Sequence, residues 1–329
     1  MRKRAVVTAV LSALLASWAC AQTADFLDLV KTGAPLAIRA AIDRGADVNA
    51  RDLDGETALM YAAGNNPDPE AIAALLGAGA DIAARENGRT ASVFGKDGWT
   101  ALMYAVGFNK QNPEVVTTLL RAGADIEARN SFGYTPLMLA GCVNQNPEMS
   151  ATLLKAGADI NARDVEGWTP LMHAAGNPNP EVIAVFLKAG GDIEARDKNG
   201  STPLMLAAEY NPNPGIIVEL LKAGANLEAR DDVGRTSLMF AADNQDPEAA
   251  LMLLKAGADM EAQDADGLTS LMYAARNNRN PEVITKLLAA GADARIKDKS
   301  GKTAYDYARE NARLKDTDAY RELEQAQSS

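Results

Sequence analysis

Apolar positions in this chain fall into short helical runs, arranged in pairs and separated by polar breaks that carry glycine and proline; residues 164–196 show the pattern most clearly. Asp164 to Gly167 has the composition of a tight turn, since glycine adopts a positive φ that other residues avoid. Thr169 then stands as an N-cap and Pro170 at the first helical position, where its missing N–H costs nothing. The spacing predicts a short helix from Leu171 to Ala175, lined with alanine so that a neighbouring helix can approach closely. Asn179-Pro180-Glu181 restarts the chain with a cap, a proline and an acid near the positive helix end. Val182, Ile183, Val185, Phe186 and Leu187 form the core face of the second predicted helix. Lys188 suits its negative end and Gly190 stops it.

The unit recurs. G-A-D or a close variant begins at Gly45, Gly79, Gly123, Gly157, Gly190, Gly224, Gly257 and Gly291, and G-x-T at Gly55, Gly98, Gly133, Gly167, Gly200, Gly234, Gly267 and Gly301. A fixed period of 33 or 34 residues, broken once by a step of 44, marks a repeat architecture. The run D-x-x-G-x-T-P-L-x-x-A-A, a loop, a helix ending L-L-K-A-G-A-D and then I-N-A-R resembles the ankyrin repeat over about residues 25 to 327. The resemblance implies an all-α repeat solenoid, built of helix–turn–helix units joined by β-hairpin fingers. It further implies a protein partner held by the finger tips and the concave helix face.

On these landmarks residues 22–51 form an N-terminal capping repeat, 52–297 seven full repeats and 298–329 a C-terminal cap and tail. Asp306, Arg309, Glu310, Asn311 and Arg313 make the last helices polar, as the end of a stack requires. Three features depart from the family pattern. Methionine replaces the usual histidine at Met60, Met103, Met138, Met172, Met205, Met239 and Met272, which we read as an apolar ladder rather than a copper site. The helix–helix loops carry N-P-D-P-E, N-P-N-P-E or related runs, which suit rigid, capped connections. The break in spacing places nine extra residues, 86–94, in the finger between the first two full repeats, where Asn87-Gly88 signals a tight turn.

The beginning of the chain follows other rules. Arg2, Lys3 and Arg4 precede an apolar stretch from Ala5 to Trp18, and Ala19 and Ala21 flank Cys20. This is the pattern of a signal peptide over 1–21, cleaved before Gln22, and it implies a periplasmic or secreted protein. Acylation at Cys20 is the less favoured reading, because Ser17 stands where a lipoprotein signal needs a leucine-like residue. Losing the three leader cations takes the net charge from −11 to −14. Such an acidic chain disfavours nucleic acid and anionic lipid, and the leader's apolar run is too short for a membrane span. Cys142 becomes the sole thiol, so the expected monomer must hold by packing alone.

Candidate contacts follow from the resemblance, which places the residue after the turn glycine beside the groove. Trp99, Tyr134 and Trp168 occupy this position in three consecutive repeats and are the expected hot spot, with Arg235 further along and Arg89 and Phe94 in the insertion. Chemistry has few candidates. His173, the one histidine, occupies a slot filled elsewhere by Tyr61, Tyr104, Leu139, Leu206, Phe240 and Tyr273, which marks it as a packing variant. Asp52-x-Asp54-Gly55 and Asp264-x-Asp266-Gly267 imitate the start of a calcium loop without the remaining ligands. No catalytic residues, metal or cofactor are expected. The functional readings are a protein-binding scaffold of the bacterial envelope, a secreted effector that binds a host protein, or a protector or inhibitor of one periplasmic enzyme.

Overall fold

The computed structural model describes residues 23–87, 97–109, 112–244, 247–277 and 280–328. It divides into two compact units, Met1–Asp159 and Ile160–Ser329. In the first, α1 (23–32) and α2 (Pro35–Asp43) precede the pairs α3 (Ala58–Asn65) with α4 (Pro69–Gly77), α5 (Ala101–Phe108) with α6 (Pro113–Arg121), and α7 (Pro136–Cys142) with α8 (Pro147–Lys155). The second holds α9 (Pro170–Ala175) with α10 (Pro180–Lys188), α11 (Pro203–Tyr210) with α12 (Gly215–Lys222), and α13 (Ser237–Asp243) with α14 (Pro247–Lys255). It continues with α15 (Ser270–Asn277) and α16 (Glu282–Ala289), then closes with α17 (Ala304–Glu310) and α18 (Asp318–Ser328). Within each unit, first helices pack on first helices and second on second, so α3 meets α5 and α4 meets α6. This is an all-α repeat solenoid.

The predicted helix starts agree with the structure. Thr169 Oγ1 accepts the Met172 N–H, Pro170 opens α9, and Asn179 accepts the Glu181 N–H ahead of Pro180. The methionines are buried as the ladder reading expects, but they do more than fill space. In five repeats, the sulfur of Met60, Met138, Met172, Met205 or Met239 accepts the N–H of the capping threonine at 3.4 Å. The thioether is thus both a core filler and the second half of the cap, a polar role usually given to Glu or Gln.

Fingers are turns more than strands: among the described residues the pairing amounts to one isolated bridge between Arg51 and Thr57, with no regular strand. Most turns are instead built around one carboxylate, and that at 130–133 around the Asn130 amide oxygen, which accepts the N–H groups of Phe132 and Tyr134. Asp164 Oδ1 accepts the N–H groups of Glu166 and Trp168, and Gly167 turns at φ 82°. Asp52, Asp197, Asp231, Asp264 and Asp298 act alike in their own turns. The other carboxylate oxygen reaches the first helix, where it accepts the hydroxyl of Tyr61 (2.6 Å), Tyr273 (2.7 Å) or Tyr307 (2.5 Å). Burial alone would raise the Asp298 carboxyl, but hydrogen bonds from Tyr307, Ser300 and Lys302 outweigh it and hold the group at about 2.

The inserted finger keeps this bonding with a shifted register. Glu86 N–H donates to the Trp99 carbonyl and Gly98 N–H to the Glu86 carbonyl, which gives Glu86 the position that Asp164 holds in its turn. Asn87 N–H donates to Asp54 and Ser131 N–H to Asp97, as Lys198 N–H donates to Glu166. Glu86 and Asn87 therefore belong to the turn itself, and the nine added residues are 88–96 rather than 86–94. That segment lies outside the described residues.

Side chains also join repeat to repeat. The loop asparagines do more than make rigid connections: they are buried and point backward along the stack. Asn109 Nδ2 donates to the Ala63 and Asn66 carbonyls, and Asn144 Nδ2 to Val106. In the second unit Asn211 Nδ2 donates to Ala175 and Asn177 while its Oδ1 accepts the Asn213 N–H. At the finger base, Arg163 links the Gly167 and Arg196 carbonyls, Arg196 those of Gly200 and Arg230, and Arg230 those of Gly234 and Gln263.

Two outcomes follow. Asn211→Ala leaves two buried carbonyls without this donor and lowers unfolding stability by about 2–3 kcal/mol, measurable by urea denaturation. The Asp298 carboxylate, held below its unfolded value of roughly 4, contributes stability that is complete above that value. This contribution is lost as the pH falls through about 2. The melting temperature of Asp298→Asn therefore depends less on pH than that of the parent chain over this acid window.

Candidate protein-binding face

The residues after the turn glycines do not share one environment. Trp99 is 1% exposed, against the expectation of an open hot spot. Its ring lies across α5, with centroids 5.5 Å from Tyr104 and 5.5 Å from Phe108. Gly107 makes room, since a Cβ there would stand 2.9 Å from the indole. Trp99 is a core ring in this conformation. Tyr134 is half-buried, its ring 5.9 Å from that of Phe132.

In the second unit Trp168 packs on Met172, Ala195 and Leu206 and remains partly open. Its Nε1 donates to Asp197 Oδ2 at 3.1 Å, and its ring lies 5.3 Å from His173 and 6.5 Å from Tyr210. Arg235 is half-buried; its Nε donates to Asp231 at 2.7 Å and its guanidinium lies 4.3 Å over the Phe240 ring. Arg89 and Phe94 fall outside the described residues.

Several exposed residues escaped the sequence reading. Leu53 at 87%, Phe132 at 44%, Val165 and Val233 are open apolar side chains at finger tips, one or two residues before the turn glycine rather than just after it. Phe108 and Tyr210, the last residues of α5 and α11, are also exposed. The tip positions were legible in principle: they carry apolar residues in a turn otherwise made of Asp, Asn and Gly. The helix-end positions gave no such signal, because the alanine-rich run before them conceals where the face leaves the core.

The polar groups that could suggest chemistry are engaged in the fold. His173 Nε2 lies 2.8 Å from Asp164 Oδ2, so the imidazole takes the position that a tyrosine hydroxyl holds in other repeats. Burial pushes the Cys142 thiol up to about 12, far from a reactive thiolate. Among the described residues no three His, Cys, Asp or Glu side chains are arranged to hold a metal ion. The carboxylates that resembled a calcium loop accept backbone N–H groups and a tyrosine hydroxyl.

The two tryptophans should therefore separate on mutation. Trp99→Ala costs about 3–5 kcal/mol of unfolding stability, as expected for a fully buried ring. Trp168→Ala, half-open at the surface, costs about 2 kcal/mol or less. Parallel urea titrations check both.

No curated protein matches the chain. The family model for ankyrin repeats, described as three copies, matches in overlapping windows at residues 26–130, 91–164, 108–197, 138–231, 171–264 and 238–319. Ankyrin repeats mediate protein–protein interaction, and among the described residues no helix is long and apolar enough to cross a membrane. With turn, capped helix pair and backward-pointing side chains repeated throughout both units, the chain belongs to the ankyrin-repeat family.

Proposed function

We propose that this protein is a non-enzymatic scaffold of the bacterial envelope, exported through the leader at 1–21 and holding another protein against its finger tips and first helices. One observation carries the reading: the buried polar groups serve the stack, while Leu53, Phe132, Val165 and Val233 are apolar side chains standing open at finger tips. Exposed apolar residues on a rigid support are the raw material of an interface core. The acidic balance fits a basic partner better than nucleic acid.

The test is to isolate the tagged full chain from an envelope fraction and identify what stays bound. A stoichiometric protein should survive washing, and Phe132→Asp or Val165→Asp should lower its recovery by about tenfold or more. Capture that is unchanged by both substitutions overturns the assignment to the tips. Recovery of the chain chiefly from culture supernatant would replace the envelope reading with that of a secreted effector.

A further inference from the structure

Three aromatic rings on the first helices of the second unit are paired with cations from the chain itself. Arg235 lies over Phe240 at 4.3 Å and Arg276 over Tyr273 at 5.0 Å. Tyr307 has Lys302 at 5.1 Å and Arg276 at 5.9 Å. The pattern breaks at Trp168 and Tyr210. These rings lie 6.5 Å apart and tilted by 39°, and among the described residues no cation lies over either. Tyr210 is nonetheless the more open ring, at 58% exposure.

Carboxylates surround this pair. Asp197 accepts the Trp168 Nε1–H, leaving its Oδ1 to the turn. Glu209 adjoins Tyr210 at the end of α11, and exposed Asp243 ends α13. Burial, then the neighbouring Glu209, pushes the Tyr210 phenol up to about 12. Glu209 is itself raised, first by burial and further by Asp243 and Asp197, against the lowering effect of Tyr210 and Arg235. Arg235 is the nearby cation, and it is committed to Asp231 and to the face of Phe240. Asp243 and Asp197 thus repel Glu209 beside two rings whose faces attract positive charge.

We propose that Trp168 and Tyr210, with Asp197, Glu209 and Asp243, form the seat for an arginine or lysine side chain from a basic segment of the partner protein. The incoming cation makes a ring–cation pair of the kind the chain itself supplies for Phe240, Tyr273 and Tyr307, and it relieves the repulsion of Glu209 by its neighbouring carboxylates. This inference rests on the scaffold reading and names the chemistry of its partner; the net charge of −11 favours the same encounter at long range.

A hexa-arginine peptide titrated into the full chain by calorimetry, at about 150 mM salt to screen diffuse attraction, tests the seat. One saturable site is expected. Tyr210→Leu, which keeps the charge and removes the ring, should weaken binding by about tenfold, and Tyr210→Phe should restore most of it. Glu209→Gln should weaken it by about threefold to tenfold, and Glu148→Gln in the first unit should leave it unchanged. The proposal is overturned if no saturable site is seen, or if the peptide responds equally to Glu209→Gln and Glu148→Gln and ignores Tyr210→Leu. Circular dichroism confirms that each variant folds. A Tyr210→Leu chain that has lost the peptide site but still captures its envelope protein would overturn the link to the partner while leaving the scaffold standing; failure of the parent chain to capture any protein would count against the scaffold itself.

Discussion

A helix of six to nine residues has almost no interior, and the structure depends on this constraint. The first four N–H groups and last four carbonyls of any α-helix lack partners within it. In α9, six residues long, no turn is free of an end. Such a segment is not stable alone. The threonine and asparagine caps, the methionine sulfur on the threonine N–H and the buried asparagine on the preceding repeat's carbonyls supply missing partners, while the arginine at the finger base does the same for finger carbonyls. Hydrophobic burial drives the stacking, and hydrogen bonding helps set its register, since the carbonyls of Ala63, Val106 and Ala175 each accept from a particular asparagine about one repeat away in sequence.

That division explains what was legible in the sequence. Turns and caps were readable because they are local: Asp164, Gly167, Thr169 and Pro170 lie within seven residues and define one geometry. The helix bounds followed to within a residue, with α9 beginning at Pro170 against a predicted Leu171. Long-range roles were not readable. Asn211 looks like any loop asparagine until Ala175 lies beneath it. Trp99 and Trp168 occupy the same repeat position, each with a glycine eight residues later, yet the first indole lies over Gly107 among Tyr104 and Phe108 while the second packs against Leu206 and stays half-open. The insertion was misplaced by two residues for the same reason. Its composition shows the Asn-Gly signal, but only the bonds of Glu86 and Asn87 to Trp99 and Asp54 reveal where the regular turn ends.

The recognition side of the molecule follows from how fully the frame occupies its own polar groups. Turn carboxylates accept backbone and tyrosine donors, the histidine is bound to one of them, and the thiol is half-buried with its ionisation suppressed. What remains for another molecule is a set of side chains that the stack does not require: apolar tips, an open tyrosine and nearby acids. A surface of this kind suits contact and selection. It also lets partner preference change at single residues while the frame stays constant.

The register of the enlarged finger has a consequence for how such a chain can change over time. Glu86 and Asn87 keep their ordinary bonds on one side of the added segment, and Gly98 and Asp97 keep theirs on the other. Nine residues thus enter at a point where the two flanking backbones are already tied down. Length is free to vary at that point without disturbing either neighbour, because the turn is closed beneath it. Every other finger is closed beneath its tip in the same way, so each one is a latent site for a new loop. The family member seen here has used one of them.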